Sequence, residues 1–104
     1  MEEREFNTLA EGMLARIEAA LEAGGADLDF ETLPGGVLEI EMADGSKIIV
    51  NRHVAAREIW VAARSGGYHF RPEGDRWVAT RDGEELLATL ARCIAEQGGG
   101  SVRL

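Results

Sequence analysis

The 104-residue chain is 45% hydrophobic and 29% charged, the balance of a soluble globular protein with the length of a single domain, 1–104. Its formal net charge of −8 is concentrated at one end, since residues 1–31 hold nine acids against two bases while residues 32–104 are nearly balanced. That local negative field argues against nucleic acid and anionic membrane as partners and favours cations or a basic protein surface. No apolar run approaches the roughly 20 residues of a membrane helix. The opening MEEREFNTL is acidic, unlike a secretory signal or a basic transit peptide. One cysteine, Cys93, cannot form an internal disulfide, so the expected setting is a reducing, cytoplasmic one.

The spacing of Phe6, Leu9, Met13, Ile17 and Leu21 predicts an amphipathic helix over residues 3–23, ended by Gly24-Gly25. Glu11, Glu18 and Glu22 share a polar face of it; a plain solvated face is the simple alternative to a site. Residues 27–33 alternate, with Asp27, Asp29 and Glu31 on one side and Leu28, Phe30 and Thr32 on the other, as a half-buried strand does. Pro34-Gly35-Gly36 turns the chain into residues 37–42, with Leu38, Ile40 and Met42 inward and Glu39 and Glu41 outward. Asp44-Gly45 marks a second hairpin, followed by strands at 47–51, 58–63, 68–71 and 76–80. Asp82 reads as an N-cap with Glu85 as its capping-box partner, opening a second helix striped by Leu86, Leu87, Leu90, Cys93 and Ile94. Two one-sided helices at the chain ends must bury their stripes. The economical fold is α+β: a two-layer sandwich with both helices on one face of an antiparallel sheet of about six strands. The opposite sheet face is then open to water.

Catalytic machinery is thin. Ser46 has no histidine–acid pair beside it, the glycine pairs lack a phosphate-loop context, and Cys93 lies on an apolar stripe. His53 and His69 are not spaced as a zinc pair. The carboxylates stand out instead. A helix folding back on its next strand brings Glu18, Glu22, Asp27, Asp29 and Glu31 to one edge, with oxygen donors suited to hard cations. With no histidine and no ordered ligand loop among them, weak, exposed and salt-sensitive binding is expected. Ile59 and Val61 supply the inward alternation of their strand and push Trp60 toward the open face, although a core tryptophan is the even alternative.

The blocks GSKIIVNR, IWVAA and GGYHF, with the GGVL strand upstream and Trp77 downstream, closely resemble the sheet of bacterial frataxins, the CyaY family. The resemblance covers nearly the whole chain in order. It implies an iron-binding regulator or iron donor of iron–sulfur cluster assembly that is not an enzyme. Its acidic ridge would hold ferrous and ferric iron weakly at the surface and dock on cysteine desulfurase. By position the ridge maps to Glu11, Glu18, Glu22, Asp27, Asp29 and Glu31, with Glu18, Glu22 and Asp29 as desulfurase contacts. Asn51 and Trp60 map to contacts with the assembly partners, which include the scaffold protein. The resemblance implies a monomer, with no tightly held cofactor. The alternative is a ferroxidase and iron store that oligomerises with iron; efficient ferroxidase sites are usually buried Glu-x-x-His centres, absent from this sequence. Two departures stand out. Relatives often carry acids where this chain has Ala19, Ala23 and Gly25, and glutamine where it has His53, a residue able to change charge near neutrality.

Overall fold

Helix α1 (Glu3–Ala23) leads into six strands, β1 (Leu28–Leu33), β2 (Val37–Met42), β3 (Lys47–His53), β4 (Glu58–Ala63), β5 (Gly66–Glu73) and β6 (Arg76–Ala79), and helix α2 (Leu86–Glu96) closes the fold. The structure, a computed structural model, describes residues 1–24 and 28–104. Tight turns allow only antiparallel neighbours, and the sheet order is the chain order, β1 to β6. Among the described residues no helix is long and apolar enough to cross a membrane.

Alternation along the strands fixes one covered face. Leu38, Ile40 and Met42 of β2, Ile48 and Val50 of β3, Ile59 and Val61 of β4, Phe70 of β5 and Trp77 of β6 are all buried. They form one core with the stripes of α1 and α2. Each such side chain contributes about 1.5–3 kcal/mol relative to exposure, so this shared layer carries most of the stability. Phe6 meets Trp77 edge-on, ring centres 5.9 Å apart, and ties α1 to β6. Gly99 lets the tail turn back tightly, since a Cβ there would lie 2.7 Å from Ile94 and 2.8 Å from the Met42 sulfur. Val102 is then buried beyond it.

Two expectations are corrected. Leu9 is 39% exposed, while Ala10 and Leu14 are buried in its place. At about 100° per residue, Phe6, Ala10, Met13, Leu14, Ile17 and Leu21 span an arc whose centre lies roughly 90° from Leu9. Leu9 fits the three-and-four spacing but misses the face. Asp82 is not the N-cap of α2. Its Oδ1 accepts from the Glu84 amide at 3.0 Å, a local turn. Glu84 and Glu85 stay out of the helix because Ala79 N–H donates to the Glu84 carbonyl and Val78 bridges Glu85. The helix therefore starts at Leu86, and the Glu85 carboxylate caps it by accepting from the amides of Leu87 (2.9 Å) and Ala88 (3.2 Å).

Glu85→Ala is accordingly expected to cost about 1 kcal/mol in urea unfolding, the usual value of a lost N-cap. Asp82→Ala should cost clearly less, and a larger loss for Asp82→Ala would restore it as the cap. The β2–β3 turn gives a pH prediction. Hydrogen bonds from the Ser46 side chain and backbone, then the Arg64 guanidinium, lower the Asp44 carboxyl to about 2 from its ordinary 3.8. A folded-state value below the unfolded one stabilises above the ordinary value and is lost as pH falls toward about 2. Asp44→Asn should therefore flatten the fall in thermal midpoint between pH 4 and pH 2 relative to the wild type.

Candidate functional site: an acidic edge and an aromatic sheet face

The same helical geometry that buries Leu14 and Leu21 puts the glutamates on the neighbouring flank. At about 100° per residue, Glu11, Glu18 and Glu22 fall within about 40° of one another, roughly 110° from the centre of the buried arc. That flank faces the β1–β2 hairpin. The Thr32 hydroxyl donates to Glu18 Oε1 at 2.5 Å, and Arg52 Nη1 donates to Glu11 Oε1 at 3.1 Å. A groove of about 290 Å³ runs between them, walled by Glu11, Leu14 and Glu18 on the helix and by Thr32, Gly36, Val37 and Arg52 on the sheet. Glu22 is exposed one turn further along α1. Asp27, also expected here, lies outside the described residues.

Asp29 and Glu31 take the other side of β1. Phe30 pairs with the buried Ile40, so the residues flanking Phe30 point to the open face. There they meet two carboxylates that the sequence reading placed outward but did not join to the site: Asp29 pairs with Glu41 and Glu31 with Glu39. The four, with Phe30 between Asp29 and Glu31 in the chain, line a shallow hollow of about 330 Å³. The signal was available, because a hairpin centred on Gly35 necessarily sets residue 31 opposite 39 and 29 opposite 41. Like charges directly opposite each other destabilise a sheet, and one base relieves them. Lys47 Nζ sits 2.8 Å from Glu39 Oε1 and pairs with Glu41 across β2–β3. The contact with Glu39, then the charges of Glu41 and Glu31, hold the Lys47 ammonium above its ordinary pKa. The expected single ridge is thus folded around edge strand β1: Glu11, Glu18 and Glu22 behind it, Asp29 and Glu31 in front.

Among the described residues no three histidine, cysteine or acidic side chains converge on a common point. An ion held here would keep most of its water and take one or two carboxylates at a time.

Two strands away, Trp60 occupies the open face. Asn51 is its cross-strand neighbour on β3 and His69 its neighbour on β5. The indole lies between two imidazoles, stacked on His53 at 3.8 Å and on His69 at 4.4 Å, with planes within 11° and 10°. Glu58 fixes the stack at its rim: Trp60 Nε1 donates to Glu58 Oε1 at 2.7 Å, and His69 Nδ1 lies 3.6 Å from the same oxygen. His53 is held in turn by the Ala56 amide, which donates to its Nδ1 at 3.3 Å. The half-buried state of Trp60 comes from these flat neighbours and not from the core. His53 was expected on the same surface as Trp60, but the stack and the part of His69 in it were not, although the alternation of β3, β4 and β5 puts all three on one face. Cys93, by contrast, is a buried core thiol.

A one-layer sheet covered by two terminal helices, with an open aromatic face and acids wrapped around one edge strand, defines a class of small two-layer α+β proteins. The model of the frataxin-like domain matches residues 1–100, and the chain belongs to that family. A protein of Dechloromonas aromatica named "Iron-sulfur cluster assembly protein CyaY" is 62% identical over 104 residues, covering 100% of this chain and 99% of that one. A protein of the same name from Cupriavidus taiwanensis is 50% identical, covering 98% and 95%. Among solved structures, frataxin from Psychromonas ingrahamii superposes with a TM-score of 0.91 at 30% identity, covering 98% and 96%. Trimeric frataxin from the yeast Saccharomyces cerevisiae, complexed with ferrous, shares the fold with a TM-score of 0.67 at 24% identity, covering 96% and 88%.

The two tryptophans supply a test of this geometry. Trp77→Ala opens the core and should cost about 3–5 kcal/mol in urea unfolding. Trp60→Ala removes two aromatic contacts from an open face and should cost under about 2 kcal/mol with the amide spectrum otherwise preserved. Equal losses would place Trp60 in the core.

Proposed function

We propose that this chain is an iron-binding regulator and iron donor of iron–sulfur cluster assembly, acting as a cytoplasmic, monomeric single domain and not as an enzyme. In this reading the acidic edge, Glu11, Glu18, Glu22, Asp27, Asp29 and Glu31, takes up ferrous and ferric iron weakly and docks on basic side chains of a cysteine desulfurase. Glu18, Glu22 and Asp29 are the desulfurase contacts, and Asn51 and Trp60 meet the assembly partners, including the scaffold, from the open face. One observation carries the reading: among the described residues, carboxylates crowd both sides of β1 without enclosing a ligand site. Cross-strand acid pairs such as Asp29–Glu41 and Glu31–Glu39 cost stability and return nothing to the fold. A surface of this kind suits exchangeable hard cations and guanidinium groups. The names borne by relatives at 62% and 50% identity support the same assignment.

The test is a triple charge reversal, Glu18→Lys, Glu22→Lys and Asp29→Lys. Desulfurase capture in a pull-down, with and without ferrous iron, should be lost while the circular dichroism spectrum is retained. Wild-type capture should weaken as salt rises from 50 mM toward 500 mM, since exposed charges are screened over about 10 Å at 0.1 M and less above it. Undiminished capture by the triple variant would overturn the docking surface.

A further inference from the structure

Arg52 breaks the pattern of its strand. Ile48 and Val50 precede it on the covered face, and it pairs with the buried Ile59, so β3 sets an arginine where the alternation calls for an apolar side chain. Its stem lies against Gly36. A Cβ at that glycine would come within 2.7 Å of Arg52 Nε, and the φ of +78° there also favours glycine. The backbone reinforces the contact, with Arg52 N–H donating to the Gly36 carbonyl at 2.9 Å. The side chain is 18% exposed, and its Nε is buried with no hydrogen-bond partner among the described residues. The guanidinium is therefore fixed, short of acceptors, and reaches one carboxylate, Glu11, at 3.1 Å. Glu11 is its opposite: 66% exposed, on the flank of α1, and free to swing into water.

We propose that Arg52 is a positioning residue of the acidic edge, an internal counter-cation that keeps Glu11 out of cation binding until a competing charge draws it away. The inference rests on reading the edge as a cation surface and adds an order to it. Glu11 is engaged by a guanidinium and Glu18 by the Thr32 hydroxyl. Asp29 lies on the far side of β1 from both contacts, and Glu22 is one helical turn beyond Glu18. Cations therefore gather first around Glu22, Asp29 and Glu31, and Glu11 joins last. A partner's arginine entering the groove would replace Arg52 at Glu11 with a like group, so docking meets a smaller barrier at this position than an aquated metal ion does.

Paramagnetic broadening of backbone amides by Mn²⁺, in the ¹⁵N-labelled full chain, reads the order directly. In the wild type the amides around Glu22, Asp29 and Glu31 should broaden before those around Glu11; simultaneous broadening overturns the proposal without any substitution. In Arg52→Met, which keeps the apolar stem, Glu11 should broaden at about three- to five-fold lower Mn²⁺, the usual coupling of an exposed ion pair. Arg52→Lys keeps both charge and stem and should shift it by less than about twofold. Arg103→Gln removes the same unit of charge elsewhere and should leave the order unchanged. An equal response in Arg103→Gln would reduce the effect to net charge and overturn the proposal. If the edge broadens but Glu11 ignores Arg52, the inference fails alone. If no part of the edge broadens, the cation reading fails and the inference with it.

Discussion

Six strands share one apolar face, and two helices from opposite ends of the chain keep water from it. The rest of the molecule follows from that one-sided burial. Because period two sends every second residue of a strand to the other face, covering one face leaves a complete second set of side chains in water. Asp29, Glu31, Glu39, Glu41, Asn51, His53, Trp60 and His69 belong to that set. Because α1 must press Ile17 and Leu21 onto the sheet, its orientation about its own axis is fixed, and Glu11, Glu18 and Glu22 are turned toward β1. The core thus aims the polar surface.

The layout was legible wherever a single period applied. Strand β4 begins and ends where its apolar run does, and the glycine turns after β1, β2 and β5 marked three of the five hairpins. Legibility failed where two local rules competed. Leu9 satisfies a spacing rule but lies about 90° off the buried arc, which only the whole set of α1 positions defines. Asp82 has the chemistry of an N-cap, yet it lies in a turn, and backbone pairing with Ala79 and Val78 keeps Glu84 and Glu85 after it out of the helix. At the site, the links that went unmade came from cross-strand registry: Glu39 and Glu41 to the acids of β1, Lys47 among them, His53 and His69 stacked around Trp60, and Arg52 beneath Glu11. A linear reading finds residues of one chemical kind on one element. It does not find a stack built from three strands.

Where the chain breaks the rules of a stable sheet, it does so in one place. Arg52 points into the covered layer, and acids face acids across β1–β2, with Lys47 as the local remedy. Other positions agree with their surroundings: Glu85 caps a helix, Gln97 joins the Arg64 amide to Ser46, and Gly99 makes room for Met42. Local conflicts of this sort are expected at functional surfaces, where stability is traded for binding. Their concentration along β1 and its neighbours is why the proposed docking surface is placed there.

The two proposed contact regions are also within one partner's reach. Adjacent strands are about 4.8 Å apart, so the acids of β1 and the indole on β4 are separated by three spacings, roughly 14 Å. A standard protein interface covers about 800 Å² on each side, a disc roughly 30 Å across. One body seated over β1 can therefore touch Glu22 behind the edge and Asp29 in front of it while its rim reaches Trp60. The charges would dominate approach, being long-ranged and exposed, and the stacked indole would dominate residence, being flat, preorganised and partly desolvated already. Loss of an edge carboxylate should consequently slow association and change its salt dependence, whereas loss of Trp60 should shorten the lifetime of the complex at nearly unchanged association rate.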